Sequence, residues 1–369
     1  MPLIIQKGSV FVFNVFDIGW EINLSRAESL LIEKQKSSLR FKFSKDPRKA
    51  IIIKEAPLGI DITSELINIL NKKYRYTASA KIWDYGTLSV TIQLCLDENT
   101  SWDELIKIAD YLEKTSDIEL IARGIKDEIK NIILPAIRLP MEWDKFEDYI
   151  IYFFENIDGI SNPKEIFDRA DIPSLILGEF SNKLSTIASI PVTENYIQYY
   201  DNDIAIIDWD AAIIIEPDGS RDICDAIEFS LTHLLELRYY DYLIDNKLDI
   251  LYDSVKAQRK GLNLKRLINL KYDNIAEDAV KNYIEFSDLI GKIENSFKTV
   301  GDPYIATVFR TCAEQFRFGD WNNSISRKMK TLFEITQIIQ AELNAMRSHM
   351  LEIIVIILIA IEIVPLLLH

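Results

Sequence analysis

The apolar and polar positions divide the chain into a strand-rich first part and a helix-rich second part. Val10 to Phe16 and Trp20 to Leu24 read as strands, with Gly19 marking a bend or hairpin turn between them. A polar helix is expected from about Ser25 to Ser38, with Ser25 as cap and Glu28 three residues on. Arg48 to Lys54 is read as a strand and Asp61 to Lys72 as a short helix. Tyr74 to Leu96 gives two strands joined near Asp84-Tyr85-Gly86, the second alternating well from Thr87 to Leu94. Phe16-Asp17-Ile18-Gly19-Trp20 and Trp83-Asp84-Tyr85-Gly86-Thr87 echo one another, either as a duplication or as recurrent Asp-Gly turn chemistry. Ser101 to Asn131 reads as helix, broken by Leu134 to Pro140, which serves as an interdomain linker. A helix is expected from Trp143 to Phe154, then a loop and short helical pieces to about Phe180. Tyr196 to Pro217 is the clearest hairpin, followed by a turn at Asp218-Gly219-Ser220 and a long helix carrying Ile223, Ile227, Leu231, Leu234 and Leu235. Helices then cover Leu248–Lys260, Tyr272–Phe297, Asp302–Phe318 and the C-terminal region. A mixed strand and helix region followed by segregated helices is an α+β fold.

The last helix has two registers. Ile325, Leu332, Ile339, Met346 and Ile353 lie seven apart, and Met329, Thr336, Leu343, Met350 and Ile357 follow each by four. Steps of four and three define a coiled-coil seam, so Ile325, Met329, Leu332, Ile339, Leu343, Met346 and Met350 are expected to join copies of the chain. Beyond Met350 the apolar residues surround the helix, and Ile353, Ile357, Ile361, Glu362 and Leu366 mark a candidate transmembrane tail. As a helix, residues 351–368 would be about 27 Å long, close to the roughly 30 Å hydrocarbon core. Arg327, Lys328, Lys330 and Arg347 before the tail place the bulk of the chain on the cytoplasmic side of a single-pass anchor. The alternative is a cytoplasmic protein whose tail is buried between subunits. The resulting division is an α+β domain over 1–133 and a linker, short helices and hairpin over 134–219 that complete the sheet. A helical domain over 220–350 and the tail over 351–368 follow.

Composition narrows the partners. The chain has 369 residues and a formal charge of −15, and an acidic surface is a poor partner for nucleic acid. Cys95, Cys224 and Cys312 follow no CxxC spacing and suit a reducing compartment. Three histidines leave little material for imidazole-ligated metal. No basic, apolar leader opens the chain.

Candidate chemistry is sparse. Asp201, Asp203, Asp208, Asp210, Asp218, Asp222 and Asp225 could supply oxygen ligands to Mg²⁺ or Ca²⁺ in a metal-dependent enzyme. Their spacing is not that of an EF-hand, and the plain reading is two turns, a helix cap and one solvated strand face, with metal binding the less favoured alternative. His233 on the apolar helix is read as a hydrogen-bonded core residue, and no nucleophile motif accompanies it. Glu236 can reach Tyr240 on the helix surface; a half-exposed helix is expected, with a buried polar network as the alternative. No Walker, GxGxxG, HExxH or GxSxG pattern occurs, so no catalytic, cofactor or metal residue is assigned and no small-molecule ligand is identified.

The C-terminal half, about 195–369, resembles the "required for meiotic nuclear division" family, a domain of unknown function. The matching residues are Ile227-Glu228, Leu234-Leu235-Glu236-Leu237-Arg238-Tyr239-Tyr240-Asp241 and Gly301-Asp302-Pro303-Tyr304. Trp321 before Lys328, Leu332 and Ile335, and the pairs Leu351-Glu352 and Ile361-Glu362, complete the match. The resemblance implies a membrane-anchored homo-oligomer without known catalytic activity, whose mitochondrial members support translation. Ile353 stands where the family has Trp and no presequence is visible, which points to a bacterial-type relative. The expectation is a non-enzymatic, self-associating scaffold.

Overall fold

A computed structural model describes residues 3–36, 38–40, 56–141, 143–181, 196–258 and 303–367, with isolated positions at 184, 185, 192, 281 and 284. Two compact units emerge, one from Met1–Glu236 with Glu294–Phe318, the other from Leu237–Ile293 with Gly319–His369. The fold is α+β, with the sheet in the first unit and the second unit helical.

The first unit is organised around β1 (Ile4–Asp17), whose run of Val and Phe suits a strand covered on both faces. It pairs antiparallel with β6 (Thr87–Cys95) on one side and β9 (Phe146–Ile157) on the other. Beyond β6 lie β5 (Lys72–Ile82), β4 (Leu58–Ile69) and β3 (Ser38–Arg40); beyond β9 lie β12 (Ala211–Ile215), β11 (Ile204–Ile207) and β10 (Tyr196–Ile197). Among the described strands only β9 and β12 run parallel. A short β7 (Thr100–Ser101) also pairs with β1, and β2 (Gly19–Ile22) forms a small second sheet with β8 (Ile137–Pro140).

Side-chain alternation sends the two halves of each strand to different layers. Val10, Val12, Ile92, Leu94, Ile150 and Tyr152 join a core with α1 (Leu24–Glu33), α2 (Trp102–Lys114), α3 (Asp117–Ile133) and α5 (Ile172–Ile176), which follows the single-turn α4 (Ile166–Arg169). The opposite face carries Phe11, Phe13, Tyr149 and Phe153. There the first turns of α6 (Asp222–Gln258) and the whole of α7 (Pro303–Gln315) supply the cover: Phe229 stacks on Trp83 at 5.3 Å, and Phe316, just after α7, meets Tyr149 edge-on at 5.7 Å.

Several expectations change. Asp61–Lys72 is not a helix but most of β4, because residues such as Leu66, Ile67 and Ile69 pair with β5 through a turn at Leu70-Asn71, both at positive φ. Trp143–Phe154 is not a helix either; it is largely β9, near the middle of the sheet, where burial on both faces removes the alternation that marks a strand. Ser101–Asn131 divides into α2 and α3 at Thr115-Ser116. Asn23, not Ser25, caps α1. Leu134 to Pro140 is no linker: it forms a 3₁₀ turn and β8. The strand over 48–54 and the helix over 272–297 lie outside the described residues, apart from two isolated positions of the latter.

The two echoing Asp-Gly segments meet. Ile18 N–H donates to the Gly86 carbonyl at 3.0 Å, and Ile22 N–H to that of Asp84 at 2.8 Å. Gly86 has φ +97°, and a Cβ there would collide with the Gly19 carbonyl. Glycine is required on both counts.

In the second unit, α8 (Phe318–Leu367) lies beside the later turns of α6. Ser324 donates to Asp241 at 3.1 Å, and Lys328 to Asp245 at 2.7 Å; both pairs are 83 residues apart, so the helices run in the same direction. Ile325, Met329 and Leu332, the first members of the predicted seam, are already buried within one copy, as is Thr336. Met350 is half-buried; the side chains of Ile339, Leu343 and Met346 lie outside the described set.

The membrane and transmembrane expectation is overturned: among the described residues no helix is long and apolar enough to cross a membrane. From Leu351 to Leu367 the helix is about 25 Å long, short of the roughly 30 Å hydrocarbon core. Ile353, Ile357 and Ile361 are exposed on it, while the side chains of Glu362 and Leu366 lie outside the described set.

Candidate functional site

The most concentrated polar chemistry lies beneath the first turns of α6. Asp225, Glu228, Thr232 and Glu236 recur every three or four residues, which places them on one helical face. That face meets Lys81 on β5, Thr87 and Ser89 on β6, and Tyr85 in the turn between. Lys81 Nζ reaches Asp225 at 2.8 Å and Glu228 at 2.5 Å, and Ser89 donates to the other Glu228 oxygen. Thr87 donates to Glu236 at 3.0 Å. Thr232 gives its proton to the Phe229 carbonyl, so the 2.7 Å contact with Tyr85 is donated by the tyrosine. Glu236 is thus buried in a network, contrary to the half-exposed helix expected.

Electrostatics fit a clamp better than a catalyst. Burial pulls the Lys81 ammonium down, but the carboxylates of Glu228 and Asp225 outweigh it and hold it charged. Burial pushes Asp225 up to about 6 even beside Lys81, with Glu228 adding to the rise. The lysine side of the pair thus favours the ionised form, while the aspartate side leans towards the neutral one. The lysine's charge decides between them, because two close carboxylates fix it and it in turn neutralises one of them.

Ser89 beside a carboxylate and a lysine has the residue types of a nucleophile, yet Ser89 is 0% exposed and Glu228 1%. His233 lies between Phe229, Tyr85 and Phe309, and its Nδ1 donates to the Phe229 carbonyl at 2.7 Å. Burial lowers its pKa to about 4, so the ring is neutral near pH 7. Burial pushes the thiols of Cys224 and Cys312 up, the latter to about 12, and neither is a thiolate.

The Asp-rich segment is dispersed. Asp201 and Asp218 are exposed in turns, and Asp203 accepts the backbone N–H groups of Tyr199 and Tyr200 at 2.8 and 3.0 Å. Asp222 opens α6, and Asp225 joins the network. Among the described residues no group of three or more His, Cys, Asp or Glu is arranged to hold a metal ion. The network is legible in part: the spacing of Asp225, Glu228, Thr232 and Glu236 marks a polar stripe on an apolar helix, but its lysine partner lies far away in sequence.

Fold and network together define an α+β domain in which a broad mixed sheet is covered on both faces and one face is tied to its helix by buried charge. The chain belongs to the family described as "Uncharacterized protein MJ0711, N-terminal domain", whose model matches residues 7–221. It is 24% identical over 226 residues to "Uncharacterized protein MJ0711" of Methanocaldococcus jannaschii, covering 60% of this chain and 66% of that protein, just under two thirds of its length. No solved structure matches. These findings place the chain in a domain family of unknown function; the "required for meiotic nuclear division" family is not among them.

Proposed function

We propose that the protein is a non-enzymatic scaffold that self-associates through the C-terminal part of α8. The observation that carries this reading is the stretch from Leu351 to Ile361. Nine large apolar side chains there are each 46–64% exposed. Together they form one continuous apolar surface along the helix, where a stable interface takes roughly 800 Å² from each partner. Monomers rarely leave a large contiguous apolar patch uncovered. The seam from Ile325 to Thr336 is occupied within the chain, so the surface for a second copy is the exposed stretch beyond it.

The absence of enzymatic activity is part of the same reading, supported by the closure of the Lys81 network to any substrate. The resemblance over 195–369 agrees with it, since it too implies a homo-oligomer without known catalysis. It concerns residues mostly beyond the 7–221 family match.

The test is oxidative cross-linking of an I357C variant on a C95S background, without detergent. Rapid disulfide-linked dimers are expected at this position, and none from a cysteine at Leu120, an exposed site on α3. Equal behaviour at the two positions would reject the reading.

A further inference from the structure

We propose that the end of the sheet where β1, β9 and β12 approach α2 binds an organic cation, an ammonium or guanidinium group with a hydrogen-bond acceptor nearby in the same molecule. Three neighbouring strands present polar residues at this end of the sheet: Asn14 on β1, Asp148 on β9 and Asp210 just before β12. Asn14 stands directly across from Asp148 in the antiparallel register, so both side chains lie on one face, the face covered by α2.

Two buried atoms here are unanswered. Asn14 is 2% exposed and its Nδ2 has no hydrogen-bond partner; Asp210 is half-buried, and its Oδ1 atom is out of solvent and unpartnered. Buried polar groups are overwhelmingly paired, and each orphan costs about 1–3 kcal/mol. A donor and an acceptor left open on either side of β9 therefore mark a place for something that supplies both complements.

The charge says what it is. Burial raises the Glu113 carboxyl at the end of α2, and Asp210 and Asp148 raise it further. Burial pushes Asp210 up to about 6, with Asp208 and Asp148 adding to it and hydrogen bonds from the backbone and the Trp209 side chain opposing. Glu113 and Asp210 are thus each raised by burial and by a neighbouring carboxylate, and a cation beside Asp210 would offset that rise. A metal ion is the poorer match, since no three acidic groups among the described residues are arranged to hold one. Trp209, 57% exposed in the β11–β12 turn, adds an aromatic face suited to an organic cation. Two strand spacings separate Asn14 from Asp210, about 10 Å. A ligand cationic at one end and carrying a carbonyl or hydroxyl near the other spans that distance.

Calorimetric titration of the full chain tests this with argininamide, its uncharged urea isostere citrullinamide, Mg²⁺ and the capped peptide acetyl-Gly-Arg-Gly-amide. Argininamide should bind saturably, at least about tenfold more tightly than citrullinamide, one charge-assisted contact being worth that much. D148N, which alters an exposed side chain, and D210N should each weaken binding about tenfold, whereas D201N, in the turn at the far end of β11, should not. Peptide binding equal to or tighter than that of argininamide would assign the cation to a polypeptide; weaker binding, to a free small molecule. No saturable binding, equal binding of citrullinamide, indifference to D148N and D210N, or Mg²⁺ bound with the same variant sensitivity would each overturn the proposal.

Discussion

Replacing Lys81 with Met tests the network most sharply. The side chain is 12% exposed and faces Asp225 and Glu228, at 16% and 2%. Methionine keeps the length and apolar stem but leaves two carboxylates buried without their cation. Breaking a buried pair in this way costs about 3–5 kcal/mol, far above the 0–1 kcal/mol of a surface pair. For a domain of this size that is a fall in Tm of about 6–20 °C. The pH dependence follows from the sign of the shifts. Asp225 already has a folded-state pKa near 6, above its ordinary value, and loss of Lys81 drives it higher. The folded variant then binds protons more tightly than the unfolded chain, so its deficit should shrink as pH falls from 7 to 5. K81M/D225N/E228Q, which removes all three charges together, should recover much of the loss. Thermal denaturation followed by circular dichroism at pH 5, 6 and 7 reads all three effects. A K81M protein within about 2 °C of the parent at pH 7, or a deficit that does not change with pH, would refute the reasoning.

Two other expectations concern single residues. His233, with a folded pKa near 4, below the ordinary 6.5, should keep a neutral ring by NMR down to about pH 5, and it contributes stability that is lost as pH falls from 6.5 towards 4; protonation near pH 6.5 would contradict its placement. Gly86→Ala should cost on the order of 3 kcal/mol or more in urea denaturation, because the added Cβ meets the Gly19 carbonyl and φ is positive; a cost below about 1 kcal/mol would mean that the two turns are not in contact.

What is readable in the sequence depends on how local the determining interactions are. The Tyr196–Pro217 hairpin, the strands of 9–24 and 74–96 and the long helix after Ser220 follow from alternation, turn residues and caps close in sequence. β9 does not read as a strand, because a strand covered on both faces has the same continuous apolar run as a buried helix. β4 reads as a helix because its partner and its left-handed turn decide its conformation, and Asp61 and Thr63 resemble helix caps only in isolation. The heptad over 325–336 is correctly periodic, but periodicity names no partner: Ile325, Met329 and Leu332 are buried within one chain, on a helix bonded to the later turns of α6, 83 residues earlier. The Lys81 network joins a strand to a helix 144 to 147 residues away, a pairing that only the folded sheet creates.

The claim that copies meet through the exposed stretch of α8 is tested most directly by mass. Sedimentation equilibrium without detergent, over a range of concentrations, should give the intact chain a molar mass at least twice its 42.7 kDa and a chain ending at Arg347 the mass of one copy. A monomeric intact chain, or a shortened chain that still assembles, would contradict it.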